Sequence, residues 1–446
     1  MIKRLSIVSI MVLAIASCNK DAISDFEHSL NPNLGGNNTV IDVSPLAFSH
    51  QNPTITGDDE LQFFVGNSLF NKNWVSAPAS TTARDGLGPL FNARSCASCH
   101  FKDGRGRSPS AGELATGYLV RLSIDGDLPH PEYGDQLQDQ ANLGVLPEAQ
   151  IHIQYQELSG TYPDGTAYSL RKPTVAFQNF KYSVIGNETR TSPRVAPQMI
   201  GLGLLENIPE TTLLIWEDAA DANNDGISGR VNRVYDIEKQ SLQIGRFGWK
   251  SNTPNIKQQC AGAFFGDMGL TSSFHPEEGC TTGDCAGQAN GGTPEVEEKA
   301  LNQVALYSRH LAVPQQRDFD NETVKRGYDL FVNTGCSNCH KTNIQLNDGQ
   351  IISPFTDLLL HDMGEGLADN RNDNLATGTE WRTAPLWGMG LIPTVNGHQE
   401  LLHDGRARNS EEAILWHGGE AEKSVESFKS LNAEKRQEMI KFLESI

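Results

Sequence analysis

The sequence predicts a mainly α-helical protein of two similar units, the first enlarged by a β-containing insertion. Three observations carry that expectation. A short motif occurs twice, as Gly66-x-x-Leu69-Phe70 and Gly327-x-x-Leu330-Phe331, each time ahead of a Cys-x-x-Cys-His pentamer, as a duplicated helical unit would show. Between the copies, Ile151, Ile153 and Tyr155 alternate with His152 and Gln154, the period of a half-buried strand. Towards the C-terminus helical signals return: Asn409 with Glu412 three residues on caps a helix through Ile414 to His417, ended by Gly418-Gly419, and 433–446 reads as an amphipathic helix.

In chain order, Lys3 and Arg4 precede an apolar run from Leu5 to Ala16, too short to span a bilayer, and then Ile15-Ala16-Ser17-Cys18. This resembles the lipobox of bacterial lipoproteins, which implies cleavage before Cys18 and its lipidation; an ordinary cleaved signal peptide is the alternative. The expected location is the bacterial cell envelope, lipid-anchored to a membrane and facing the periplasm or the cell surface. Residues 1–18 are thus a leader, and 19–45, polar and rich in Asn and Gly, read as a flexible tether. Residues 46–295 form the first unit, in which Tyr118 to Ile124, Ile151 to Tyr155 and, after a turn at Pro163-Asp164-Gly165, Tyr168 to Leu170 read as strands. Residues 296–446 form the second. A formal net charge of -19, with no basic run anywhere, excludes nucleic acid as a partner.

Cys96-Ala97-Ser98-Cys99-His100 and Cys336-Ser337-Asn338-Cys339-His340 carry the chemistry. Two thiols at this spacing form thioethers to haem vinyl groups, and the adjacent histidine reaches the iron as proximal ligand. A zinc site or a redox dithiol would leave the following histidines unexplained. Two covalently bound haem c groups are expected, in two cytochrome c-like domains whose haems face their junction. With only a proximal ligand such a haem can bind peroxide; with two strong ligands it mainly transfers electrons.

Around the second pentamer, Arg382-Thr383-Ala384-Pro385-Leu386, His403-Asp404-Gly405-Arg406 and Glu411-Glu412-Ala413-Ile414 resemble the bacterial di-haem cytochrome c peroxidases and their methylamine-dehydrogenase-maturing relative. The resemblance places the second haem's distal ligand at His417, where those proteins hold methionine or tyrosine. Met363 and Met389 are rival ligands, and a capping role at a helix end is the other reading of His417. Histidine in place of methionine lowers the reduction potential, because the thioether favours ferrous iron. Trp249, Gln259 ten positions later and Asp267-Met268-Gly269 match the superfamily's relay tryptophan, distal glutamine and catalytic glutamate. Aspartate here replaces glutamate and lies two residues closer.

From Leu61 onward the chain resembles the di-haem oxidoreductase family, often labelled thiol oxidoreductase. Its marks are Gly86-Leu87-Gly88-Pro89-Leu90-Phe91-Asn92, Asp103-Gly104-Arg105-Gly106, Ser192-Pro193-Arg194-Val195-Ala196-Pro197, Gly201-Leu202-Gly203-Leu204-Leu205-Glu206 and Gly245-Arg246-Phe247-Gly248-Trp249-Lys250. The resemblance implies a peroxidase-like enzyme. Electrons from an unidentified redox donor protein enter at the second haem, ligated by His340 and His417, and pass by Trp249 to a reactive first haem on His100. There Gln259 and Asp267 assist reduction of peroxide or a similar small oxidant. Arg194 would enter the first haem's distal pocket, pair a propionate, or make a structural salt bridge. His130, between two prolines, and His152, on the polar side of a strand, read as solvated side chains, which leaves the first iron open. Two other readings stand beside this one: a non-catalytic electron-transfer di-haem cytochrome c lipoprotein, and oxidation of a protein or metal substrate at the surface.

Three lesser features remain. Asp221, Asn223 and Asp225, with Gly226 and Ser228, have the spacing of a calcium loop, but Asn232 stands where a bidentate glutamate is expected; an Asx-rich turn is the alternative. Cys280 and Cys285 are expected to form a disulfide. Cys260 is either a buried small hydrophobe or a thiol beside the active pocket.

Overall fold

A computed structural model describes residues 31–115, 117–280 and 283–446. The expected leader and its Cys18 fall outside the described residues. The duplicated motif is a duplicated helix crossing. Six helices organise it: α1 (Asp58–Asn71), α2 (Ile256–Met268), α3 (Glu298–Arg309), α4 (Glu322–Asn333), α5 (Ser410–Trp416) and α6 (Ala433–Ser445). α1 packs on α3 and α4 on α6. At each crossing the motif glycine lets two backbones touch: a Cβ at Gly66 would lie 2.1 Å from the Gln303 carbonyl oxygen, and one at Gly327 2.1 Å from that of Glu438. The motif phenylalanine then packs against the pentamer histidine, with ring centres 6.2 Å apart for Phe70 and His100 and 6.3 Å for Phe331 and His340. Gly327→Ala is expected to lower the thermal midpoint, because overpacking at about 1–3 kcal/mol exceeds the ~1 kcal/mol that alanine's helix propensity returns.

Side-chain caps set where several helices begin. Asn255, Asn321, Asn409 and Asn432 each accept a backbone N–H from the first turn of α2, α4, α5 and α6. α5 therefore starts where Asn409 indicates and stops at Trp416, with His417 as the first extended residue beyond it.

The expected β insertion is larger than its sequence signal. β1 (Tyr118–Ser123) pairs antiparallel with β4 (Arg190–Val195), while β2 (Gln150–Thr161) and β3 (Ala167–Gln178) form one long hairpin turned at Gly165. Ile151 and Ile153 are buried as the alternation requires. The hairpin tip reaches the second half of the chain, where Tyr162 Oη donates to Glu411 on α5 at 2.7 Å.

The mainly α class is corrected. Helix accounts for 29% and strand for 19%, the strands making seven two-stranded sheets among the described residues. Nor does the architecture show two cytochrome c-like domains. Connections between helices fold back as ladders of as few as two residues, such as Leu90–Phe91 with Gln140–Ala141, too short to leave a period in the sequence. One core runs from Leu34 through Tyr118 and Ile151 to Phe331, Trp387 and Phe442, so both halves share it. α3, which begins after the expected boundary at 295, packs on α1 and α2 and completes the first half-site.

The described part of the expected tether is also ordered: Leu34 is buried and Thr39–Val40 pairs in parallel with Val313–Pro314. Its polar composition hid that one apolar anchor and the short ladder beside it.

Candidate functional site

Both pentamers open on one cavity of about 660 Å³, lined by Cys96, Cys99 and His100 from the first and Cys336, Cys339 and His340 from the second. The histidines are prepared alike. His100 Nδ1 lies 2.7 Å from the Pro197 carbonyl and His340 Nδ1 2.8 Å from that of Phe355. With Nδ1–H donating there, Nε2 carries the lone pair that a metal needs. Both side chains are partly buried and line the cavity. Burial pushes both down to about 4, so both are neutral at pH 7.

His417 has the same preparation, its Nδ1 being 2.7 Å from the Ala413 carbonyl one turn back on α5. It lines the cavity, and a charge on it would further lower His340, so the two rings are neighbours. His100 is lowered by burial against backbone hydrogen bonds to Pro197 and Gly104. Met363 and Met389, the rival ligands, also line the cavity. The loop after His417 is held by Glu420, which accepts from Ser228 and lies 2.7 Å from His361 Nδ1; His361 Nε2 is 2.9 Å from Asp357.

Across the cavity, α2 presents Gly262, Ala263 and Gly266, and a Cβ at Gly262 would meet nothing within 4 Å. Prepared imidazoles on a cavity that small side chains of α2 also line, with a thiol pair beside each pentamer histidine, fit a flat metal macrocycle at each half-site.

Asp267 ends the same helix and faces the cavity. Its Oδ1 accepts from Gln136 Nε2 at 2.8 Å, which leaves Oδ2 for another partner. Burial raises its pKa to about 6, against the hydrogen bond from Gln136 and the charge of Arg121. Its own charge raises both Cys96 and Cys99, which places it at the first half-site. Gln259 also opens on the cavity, but it is exposed and precedes Asp267 by eight residues, about 12 Å along the helix axis. The pair spans the cavity wall rather than converging on one point.

Trp249 is buried on the cavity wall, its Nε1–H donating to the Val195 carbonyl at 2.9 Å. The Arg105 guanidinium stands 5.1 Å over its ring, and its carbonyl accepts from the Arg382 N–H at 2.9 Å. Arg194 lines the cavity too, yet its guanidinium is committed: Asp373 lies at 2.5 Å and Asp369 at 3.7 Å. Of the three roles open to it, the geometry gives the salt bridge.

Sequence reasoning missed Gln136, which bonds Asp267 directly, and Arg121, which lies on β1 and is bridged to Gln136. It also missed Trp381, stacked on His403 with ring centres 3.7 Å apart, and His275, which lines the cavity against Phe265. His403 lay within a quoted motif; nothing in the sequence marks Gln136 or His275.

Features away from the cavity fall out simply. In the 221–228 loop, Asp221, Asn223 and Asp225 accept backbone N–H groups of the loop itself, and Lys423 Nζ sits 2.5 Å from the Asp225 carbonyl. Asn232 is bound instead to the carbonyls of Lys250 and Asp373. The loop is thus arranged as an Asx-rich turn. Cys280 and Cys285 are joined as a disulfide. Cys260 faces the cavity, its thiol pushed up to about 11 by burial, which favours the protonated form at neutral pH. His130 accepts from the backbone N–H groups of Glu132 and Tyr133.

Two repeated Cys-x-x-Cys-His sites, their neutral imidazoles lining one shared cavity with the buried Trp249 on its wall, are the arrangement of a class of redox proteins. A family model described as "Di-haem oxidoreductase, putative peroxidase" matches residues 30–126 and 122–446. The chain belongs to that family. No curated protein and no solved structure matches it.

Proposed function

We propose that the protein is a di-haem c-type peroxidase in which the first half-site is the reaction centre and the second receives electrons. The observation that carries the reading is the asymmetry between the half-sites: His417 stands close enough to His340 for its charge to lower it, whereas the buried acid Asp267 stands beside the Cys96 and Cys99 thiols. Cys96 and Cys99, and Cys336 and Cys339, would hold the two haems by thioethers, with His100 and His340 as proximal ligands and His417 as the distal ligand of the second. When bound, the haems supply the iron at which the oxidant is reduced and a second store of electrons.

The protein's own groups manage the protons. Asp267 Oδ2 takes the proton from one oxygen of hydrogen peroxide and gives it to the other, which leaves as water. Gln136 fixes the carboxylate by its other oxygen, and Arg121 steadies its charged form. Two electrons and two further protons complete the conversion of one peroxide to two waters. Trp249, held through Nε1 on the wall of the cavity that both pentamers line, would serve as the electron relay. Gln259 contributes a polar side chain to the cavity wall. The electrons come from a redox protein of unidentified nature, and lipidation at Cys18 would hold the enzyme at a membrane of the cell envelope.

Purified, haem-loaded protein mixed with hydrogen peroxide and a reduced small-molecule donor is expected to oxidise the donor in proportion to peroxide consumed. Haem-loaded protein that takes up and releases electrons but consumes no peroxide would be an electron carrier, and the enzymatic reading would fail.

A further inference from the structure

We propose that Arg105 and Arg382 anchor the propionates of the first and second porphyrin respectively, turning both propionate edges towards Trp249. Buried guanidinium groups in this protein usually carry a carboxylate: Arg194 has Asp373 and Asp369, Arg371 has Asp373, and Arg406 has Asp404. Arg105, Arg382 and Arg246 are buried with no carboxylate at ion-pair distance among the described residues, and of these Arg105 and Arg382 lie on the cavity wall. Arg105 donates only to the backbone carbonyls of Glu400, at 2.8 Å, and Leu402. Arg382 donates to those of Gly248, at 2.9 Å, and Thr383, at 3.4 Å. Glu400 and Asp404 act on Arg105, and Asp357 on Arg382, only from beyond ion-pair distance, and burial outweighs them in both; an anion on the cavity side would complete the compensation.

A porphyrin brings two carboxylates that face the same difficulty in reverse, and a planar guanidinium fork matches them. The positions assign one arginine to each haem. Arg105 follows His100 by five residues; Arg382 belongs to the second half and forms the β-ladder pair of Leu360. Both touch Trp249, one over its ring and the other at its backbone. Anchoring both propionates there sets the edges of the two porphyrins against the same indole.

This rests on the haem reading but not on peroxide as substrate. Its test therefore reads potentials and vibrations rather than turnover. In Arg105→Gln the midpoint potential of the first centre is expected to fall, and in Arg382→Gln that of the second, because a lost positive charge beside a carboxylate favours ferric iron. The propionate bending bands in the resonance Raman spectrum should move in each. Arg246→Gln is the control: Arg246 is as buried and bonds a carbonyl, but lies off the cavity, so both readouts should stay in place. Unmoved potentials and bands in both cavity variants would overturn the assignment. Should the glutamine variants not load haem, Arg105→Lys and Arg382→Lys decide it: shifted propionate bands with retained potentials support the anchors, and unshifted bands refute them.

Discussion

A Cys96→Ala/Cys99→Ala variant is expected to carry half the covalent haem of the native chain, and a Cys336→Ala/Cys339→Ala variant the complementary half. Thioether formation needs both thiols beside an imidazole able to take the iron, and the two half-sites supply that set separately, on different helix pairs. Nothing bonds one pentamer to the other, so loss of one attachment leaves the other intact. Denaturing electrophoresis with haem staining, and absorbance of the pyridine haemochrome per chain, read the result. The first variant should lose peroxide turnover entirely while keeping a reducible centre on His340. The second should keep an accessible iron but lose the electron entry that sustained turnover requires. Full haem content in either variant would show that the pentamers are not the attachment sites.

The second large effect falls on one carboxyl group. Asp267→Asn is expected to lower turnover with peroxide by about 10²–10⁴-fold, the usual reach of a positioned acid–base group. Asparagine keeps the shape and can still engage Gln136, so haem content and fold should be unchanged. The pH dependence gives the sign. Asp267 has to be ionised to accept the first proton, and burial holds its pKa at about 6. kcat/KM should therefore rise as pH increases through about 6 and level off above it. In the variant that ascending limb should vanish. Stability moves the opposite way: a carboxyl whose folded pKa is raised favours the folded state most at low pH, and that contribution is lost as pH rises through the folded value. Activity gained and stability lost over the same interval would mark a group kept buried for its chemistry.

What the sequence disclosed and what it hid differ in kind. The two Cys-x-x-Cys-His pentamers were legible because the chemistry expected of them demands thiols and a histidine within one short stretch, and the glycine of each repeat because a helix crossing at backbone contact tolerates nothing larger. His417 followed from neighbouring motifs, and its Nδ1 contact with Ala413 now explains how a residue just past a helix end is oriented. The helical bias misled about class because long connections close into ladders that have no time to show alternation. Arg194 misled differently: its motif marks a buried arginine, but only the fold reveals that Asp369 and Asp373, far along the chain, claim its charge. Gln136 and Arg121 were invisible for the same reason, since they lie far from Asp267 along the chain and only the fold brings them to it. Arg105 stood inside a quoted motif, but its lack of a carboxylate is a property of its surroundings.

The most direct test of the account is an electron paramagnetic resonance spectrum of the oxidised, haem-loaded protein. The account predicts two ferric signals of equal weight, one low-spin from the centre between His340 and His417 and one high-spin from the centre on His100. Two low-spin signals that persist through reduction and reoxidation, with no iron free to meet a small oxidant, would contradict it.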